Sequence, residues 1–389
     1  MINLFSNEYL LHPVGLEMSQ NACGHNCFYC FATLKDSSRK FDTKKFINQI
    51  NRLHISDTFL SKKIRQKYPM VFSNNTDPFA KNNENLTREI LPTLINKNIP
   101  IFFQTKTGKN MYNIIDGIPP CTFYISITGT NDDLSRKIER QAPVVSERIE
   151  AINILKDKGH HVIVGINPLS EEWLNENDFN ELTLKLNKLG VNSIPIGLLY
   201  FRKKEIAKIE KFEKGGVDPL DYIKGNNNLG FLYLKKMVSM YKDRGLIAPN
   251  MPFYCSGINN FLPKNFKKIL TIFDFVNHII DENKNNIKDI YFEEYFNFFN
   301  KCTFLEDGYK LDNYIFSMST KLWIGNKENQ NIMSREHFYR IIWNAKKIAQ
   351  SLDMSRLFYE VGKDKNNNSI YRYMGGSIVN REGNSHKII

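Results

Sequence analysis

Short runs of β-branched and aromatic residues alternate with longer amphipathic stretches through the first 200 residues. Candidate strands are "GLEMSQ" (15–20), "MVFS" (70–73), "IPIFFQT" (99–105), "TFYISIT" (122–128), "HVIVGIN" (161–167) and "NSIPIGLLY" (192–200). Between them apolar residues recur at helical spacing, as in Phe46, Ile50 and Leu53 ahead of Phe59 and Ile64. Ile149, Ile152 and Leu155 repeat the pattern, opened by Pro143 and stopped by Gly159. Six strands separated by helix-length connections predict repeated βα units and a parallel sheet, open or curled into a partial barrel. Ligands of such sheets gather at the carboxyl ends of the strands.

The rest of the chain has a different rhythm. "KKEIAKIEKFEKGG" is a charged helix or linker, and "GFLYLKKMVSMYKDRG" (230–245), "KNFKKILTIFDFVNHII" (264–280) and "SREHFYRIIWNAKKIAQSL" (334–352) read as amphipathic helices. The aromatic run "YFEEYFNFFNKC" (291–302) lies among them. "NNNSIYRYMGGSIVNREG", with a Gly pair between alternating residues, predicts a hairpin. We therefore expect an α/β fold in two parts: residues 1–200 as the parallel sheet and 201–389 as a mostly helical region, divided near Gly215, Gly216 and the following Asn cluster.

Composition narrows the partners. A 389-residue chain with 42 % hydrophobic residues can bury one large core plus an appendage, or two domains. Its formal charge is +12, and residues 201–389 hold most of the excess, with 30 Lys/Arg against 21 Asp/Glu. This favours an acidic partner, nucleic acid first, although a Lys- and Asn-rich surface that only keeps the chain soluble has the same composition. No apolar run reaches the roughly 20 residues that cross a bilayer, and the first residues lack a secretory signal pattern. A cytoplasmic location with no membrane partner is the expectation. In that compartment clustered cysteines are ligands or catalysts before they are disulfides.

Three of the six cysteines fall within "CGHNCFYC", at 23, 27 and 30, directly after the first strand. A structural zinc site wants four ligands, and the nearby fourth candidate, His25, is squeezed inside the loop. A ferredoxin cluster also takes four cysteines, and the fourth is missing here. The x3 then x2 spacing fits a four-iron four-sulfur cluster with three irons held by protein and one left open for a small ligand.

The chain resembles the radical S-adenosylmethionine superfamily. "CGHNCFYCFA", "FSNNTDPF" (72–79), "QTKT" (104–107), "ISIT" (125–128) and "KIERQAPVVSERIEAINILKDKG" (137–159) follow the order of its spore photoproduct lyase-like branch, over residues 15 to about 200. The resemblance implies a partial (β/α)6 barrel. It also implies a [4Fe-4S] cluster on Cys23, Cys27 and Cys30, with S-adenosyl-L-methionine on the open iron, cleaved to a 5′-deoxyadenosyl radical that abstracts a substrate hydrogen. By the same resemblance Tyr29 and Phe31 pack near the cluster and adenine. Ser73, Asn75, Thr76 and Asp77 bind the methionyl part, Lys106 neutralises its carboxylate, and Ser126 reaches a ribose hydroxyl. Glu139, Arg140 and Arg148 match a charged stretch of the branch, for which a solvated helix face is the expectation. Flavodoxin or ferredoxin is the implied electron donor.

Two departures separate the chain from the enzyme that names the branch. Where that lyase carries a cysteine that returns a hydrogen to the product, this chain has Asn74 and Asn75, and Phe31 stands where the lyase has a tyrosine. Repair of the same thymine dimer by the same route is not expected. Cys255, in a Pro- and Gly-punctuated segment, is the candidate hydrogen donor, and Cys121 reads as core. The expected function is radical chemistry on nucleic acid or a nucleotide, with aromatics beside Lys and Arg in the back half able to stack bases. The alternatives are a small metabolite or peptide substrate, and a non-enzymatic zinc or nucleic-acid-binding protein.

Overall fold

The computed structural model describes residues 14–17, 23–30 and most of 42–224. Past 224 it describes chiefly 272–302, three short strands between 315 and 334, and 358–375. The first half alternates strand and helix as the pattern predicts: β1 (Val14–Glu17), α1 (Thr43–Leu53), β2 (Met70–Phe72), α2 (Glu84–Asn96), β3 (Ile101–Thr105), β4 (Thr122–Ile127), α3 (Asp132–Ile138), α4 (Val145–Asp157), β5 (His161–Leu169), α5 (Glu176–Lys188) and β6 (Ile196–Leu198). Caps fix several helix starts. Asp42 accepts the Lys45 amide before α1, Asn131 accepts Asp133 and Leu134 before α3, and Asn175 accepts Asn177 and Asp178 before α5.

β1 to β6 lie side by side in chain order, each pair parallel. Crossovers between parallel neighbours are right-handed, so one direction of travel puts every helix on the same face and curls the sheet away from it. The strands bear this out residue by residue. Met70, Phe72, Ile101, Phe103, Phe123, Ile125, Ile127, Val164 and Ile166 join one core with Phe46 and Ile50 of α1, Ile90 and Leu94 of α2, Ile149, Ile152 and Leu155 of α4, and Phe179 and Leu182 of α5. The alternate residues Phe102, Tyr124, Ser126 and Gly165 belong to the opposite, concave face. A Cβ on Gly165 would overlap the Tyr124 hydroxyl of the neighbouring strand, so glycine admits that side chain. The sheet does not close, because β6 forms one edge and a later strand the other. The result is an α/β partial barrel of six parallel strands.

That later strand is β9 (Lys321–Trp323), which pairs in parallel with β1 from Gly15↔Lys321 to Glu17↔Trp323. The other described elements of the second half are two short helices (Ile206–Ile209 and Pro219–Lys224), α6 (Ile272–Asn283), β7 (Lys288–Ile290), α7 (Phe292–Cys302), β8 (Ile315–Ser317), β10 (Ile332–Ser334), β11 (Phe358–Lys363) and β12 (Ser369–Tyr373). Helix outweighs strand among these residues, but β11, β12 and β7 also form an antiparallel sheet. The C-terminal part forms a hairpin of β11 and β12 ahead of the Gly pair, and the hairpin expected across that pair runs outside the described residues. The turn between β11 and β12 is 364–368, where the Asp364 carboxylate accepts the Asn366 and Asn368 amides and Asn367 takes φ 62°. Short Asn and Asp side chains tolerate that conformation and make such local bonds, whereas Gly375 follows the finished strand. Tyr295 and Trp343 of the aromatic runs are fully buried, with ring centroids 4.8 Å apart, so at these positions the runs form core. Among the described residues no helix is long and apolar enough to cross a membrane.

Candidate metal centre

The thiol loop begins six residues after β1 and so lies at the carboxyl edge of the sheet. Two tight turns shape it: the Asn26 amide donates to the Cys23 carbonyl (3.3 Å) and the Cys30 amide to the Cys27 carbonyl (3.2 Å). Asn26 has φ 52°, and the Asn82 side chain fills the space beside Gly24 where a Cβ would lie. Beyond these turns the loop docks on the segment after α3. Cys27 bridges Glu139, and the Phe28 amide donates to the Ile138 carbonyl (2.9 Å). Phe28 is buried against Trp173 and Phe201, at centroid distances of 5.8 and 5.5 Å. Cys27 is buried and Cys23 and Cys30 are half-buried.

Two buried carboxylates meet this loop from opposite sides. Asp77, past the end of β2, uses both oxygens: Oδ2 accepts His25 Nε2 (2.8 Å), the Lys106 amide (2.6 Å) and Thr105 Oγ1 (2.8 Å). Oδ1 accepts the Phe79 amide (2.9 Å) and Thr105 Oγ1 (2.9 Å). The Asp77 amide itself donates to Cys23 Sγ at 3.4 Å. Burial opposes its charge, but His25 and these amide donors hold the carboxyl below its usual range.

Glu139 is the second, with no side-chain exposure. It pairs with the equally buried Arg148 at 2.5 Å and with Lys106 Nζ at 3.1 Å, and accepts the Tyr29 hydroxyl. Burial would raise its pKa, yet Arg148 and then Lys106 pull it well below the carboxylate range. Tyr29 moves the other way, its phenol pushed far up by burial and by the Glu139 charge beside it. The charged stretch 137–148 is thus not a solvated face. Glu139 and Arg148 lie inside, because Arg148 also finds the carbonyls of Ser126 (3.0 Å) and Pro143 (2.8 Å), while Lys137 and Arg140 are exposed.

Lys106 connects the two sides. Its ammonium reaches Glu139, Ser126 Oγ (2.7 Å) and the Asn167 carbonyl (3.1 Å), and sits 5.4 Å from the centre of the Tyr29 ring. Ser126 donates in turn to the Asn167 carbonyl at 2.6 Å. Of the residues expected at a cofactor site, the structure brings Cys23, Cys27, Cys30, Tyr29, Asp77, Lys106 and Ser126 into one connected region, with Thr76 buried next to Asp77. Phe31, Ser73, Asn75 and Cys255 lie outside the described residues. Sequence reasoning missed His25, Glu139 and Arg148 as members. The available signals were an imidazole inside the thiol loop and charges in a stretch that otherwise reads as a solvated helix.

Three thiols are the donor chemistry of zinc or of an iron–sulfur cluster. Among the described residues no three His, Cys, Asp or Glu side chains converge as a single metal requires, with bonds of about 2.0–2.3 Å to one centre. The three thiols nonetheless share one short loop, folded by the Asn26-to-Cys23 and Cys30-to-Cys27 backbone bonds. Burial, and then the Asp77 charge, pushes the Cys23 thiol up to about 12, and burial and then Glu139 push Cys27 well above the usual thiol value. Iron, like any thiophilic metal, supplies the positive charge that would hold these sulfurs as thiolates. At the same edge Thr107 and Thr128, just past β3 and β4, bury hydroxyls without a hydrogen-bond partner among the described residues.

No protein-family model matches the chain, and no curated protein does. In structure the chain is similar to Streptococcus suis SuiB bound to S-adenosylmethionine, at 12 % identity and a TM-score of 0.41, over 61 % of this chain and 49 % of that one. It is also similar to spore photoproduct lyase complexed with dinucleoside spore photoproduct (14 %, TM-score 0.39, 51 % of this chain and 60 % of that one). A third is HydG, a maturase of the [FeFe]-hydrogenase (13 %, TM-score 0.35, 69 % and 63 %). The chain spans about half the length of SuiB.

Proposed function

We propose that the protein is a radical S-adenosylmethionine enzyme acting on nucleic acid or a nucleotide. Cys23, Cys27 and Cys30 hold the [4Fe-4S] cluster, and S-adenosyl-L-methionine binds beside it. One observation carries the reading: three thiols share an eight-residue loop at the carboxyl end of the first strand of a parallel partial barrel. The bound cluster would supply one electron to S-adenosylmethionine, whose cleavage gives methionine and a 5′-deoxyadenosyl radical able to take a substrate hydrogen.

The chain's own residues shape that chemistry. Phe28, Tyr29, Trp173 and Phe201 wall one side of the loop and keep water from it. Lys106 and Ser126 stand at the ends of β3 and β4 and offer an ammonium and a hydroxyl to the cofactor's carboxylate and ribose; the Ser126 hydroxyl, now on a carbonyl, turns about a single bond. Ser73, Asn75 and Thr76 take the methionyl end, Phe31 packs by the adenine, and Cys255 is the candidate hydrogen donor. Residues 201–389, with their nine-charge excess, form the recognition region for phosphates. A flavodoxin or ferredoxin delivers the electron.

The test uses full-length protein reconstituted without oxygen. About four irons per chain, and 5′-deoxyadenosine that appears with dithionite and S-adenosylmethionine but not in Cys27→Ala, are expected. Zinc in place of iron, or iron that never cleaves the cofactor, sinks the proposal. Binding to DNA or RNA should weaken steeply with salt; no binding, or binding indifferent to salt, removes the nucleic-acid part.

A further inference from the structure

Apart from the thiols, the densest group of buried ionisable side chains in the described residues is Asp77, Lys106, Glu139 and Arg148 with His25. Its connectivity is unusual in one respect. The loop enters it twice, through His25 near one end and Tyr29 near the other, and these two side chains share no bond: His25 goes to Asp77, Tyr29 to Glu139. The two carboxylates are joined by one residue, because Lys106 gives its backbone amide to Asp77 and its ammonium to Glu139. Backbone contacts hold both sides as well, with the Asp77 amide on Cys23 Sγ and Cys27 bridged to Glu139, and His25 is further tied to the Glu139 segment through its carbonyl, which accepts the Gln141 amide (3.0 Å), and its Nδ1, 3.4 Å from the Gln141 carbonyl.

We infer that Asp77, Lys106 and Glu139 form a buried brace under the thiol loop, with Lys106 as its crosspiece, and that the three are positioning residues for the cysteines. The acceptor sites of Asp77 are all in use within the protein, which suits a carboxylate that holds a loop. Arg148 anchors the Glu139 arm to α4. A loop tied at one end only would leave its thiols to fluctuate; tied at both, it presents them in one arrangement before any metal arrives. The cluster is the proposed occupant of that arrangement, so the functional part of this inference rests on the reading above, while the brace itself does not.

The experiment separates the two. In metal-free, reduced, full-length protein, the alkylation rates of Cys23 and Cys30 by iodoacetamide are measured peptide by peptide for wild type, His25→Leu, Tyr29→Phe and the double variant, then for the same four carrying Lys106→Met. Each single variant should accelerate alkylation. The double should depart by about twofold or more from the product of the single effects, as side chains in one network do. With Lys106→Met the departure should vanish. Simple multiplication of the single effects, or coupling that survives loss of Lys106, overturns the brace.

In parallel, the electron paramagnetic resonance spectrum of the reconstituted, reduced protein is compared for His25→Leu and His25→Gln. Glutamine keeps a donor toward Asp77, so it should restore the wild-type spectrum and leucine should not; identical spectra for both count against positioning. A wild type that takes up no iron but shows the Lys106-dependent coupling rejects the cluster and supports the brace. A four-iron wild type without coupling does the reverse.

Discussion

The two ends of the same parallel strands are built from different materials. At the amino ends the interior is Met70, Ile99, Ile101 and Cys121, with a single buried imidazole, His160, accepting the Cys121 amide at 3.2 Å. At the carboxyl ends it holds two carboxylates, a guanidinium, an ammonium and His25, nearly all out of water. The floor is stabilised by packing, a non-directional force that tolerates rearrangement. The mouth is held by paired charges, which contribute little net stability over apolar residues but are hard to break singly. That asymmetry marks the mouth as the end where geometry, more than stability, is being held.

The largest test of the contrast is Glu139→Ala, which strands Arg148 as a buried cation and takes one partner from the half-buried Lys106. A loss of about 3–5 kcal/mol is expected, seen as a marked fall in melting temperature together with lost iron retention. A shift within error of wild type would mean the pair is not buried as described. Leu155→Ala, in the helix-side core, should cost a comparable or smaller ~2–5 kcal/mol by opening a cavity. Its iron content should stay at the wild-type value, and a parallel loss of iron would erase the distinction between the ends.

A smaller effect separates the ends by pH. Burial, with Lys158 adding to it, lowers the pKa of His160, and burial alone lowers that of neighbouring His161. The unfolded chain therefore takes these protons first as pH falls. The stability that the neutral rings contribute is whole above about pH 6.5, and is lost as pH drops toward the folded values. Melting curves from pH 8 to 5 should fall in that window, less so in His160→Asn, whose amide oxygen can still accept the Cys121 amide. Equal slopes in both proteins would refute the assignment. The smallest expected signal is at Cys121, whose thiol burial pushes up to about 12. Iodoacetamide at pH 8 should leave it unmodified until denaturant is added; rapid labelling of folded protein would place it at the surface.

The floor and the helix-bearing face were legible in the sequence because each depends on local periodicity. Strands such as "TFYISIT" announce themselves as apolar runs, and Ile149, Ile152 and Leu155 repeat at helical spacing. The thiol loop was legible as a spacing motif. The mouth was not, because its bonds join residues far apart in the chain: His25 to Asp77 across 52 positions, and Tyr29 to Glu139 across 110. Nothing periodic distinguishes Glu139 and Arg148 from a solvated charged helix until α3 and α4 fold and bring both against β4. The hairpin at 358–373 was not foreseen, since its turn holds no glycine, only an Asp whose carboxylate accepts from two asparagines; the hairpin expected across Gly375 and Gly376 runs outside the described residues.

The pairing of β9 with β1 also sets an order of events during synthesis. The strand that leads into the thiol loop has one edge covered by β2, available early, and the other by a segment that begins at Lys321. At ~5–20 residues per second, the ribosome needs on the order of 15–60 s to supply it after β1 has emerged. Through that interval the outer edge of β1 presents unpaired amides and carbonyls, open to strand addition by another nascent chain. Any expression fragment that stops short of 321 would keep that edge permanently, however complete its partial barrel.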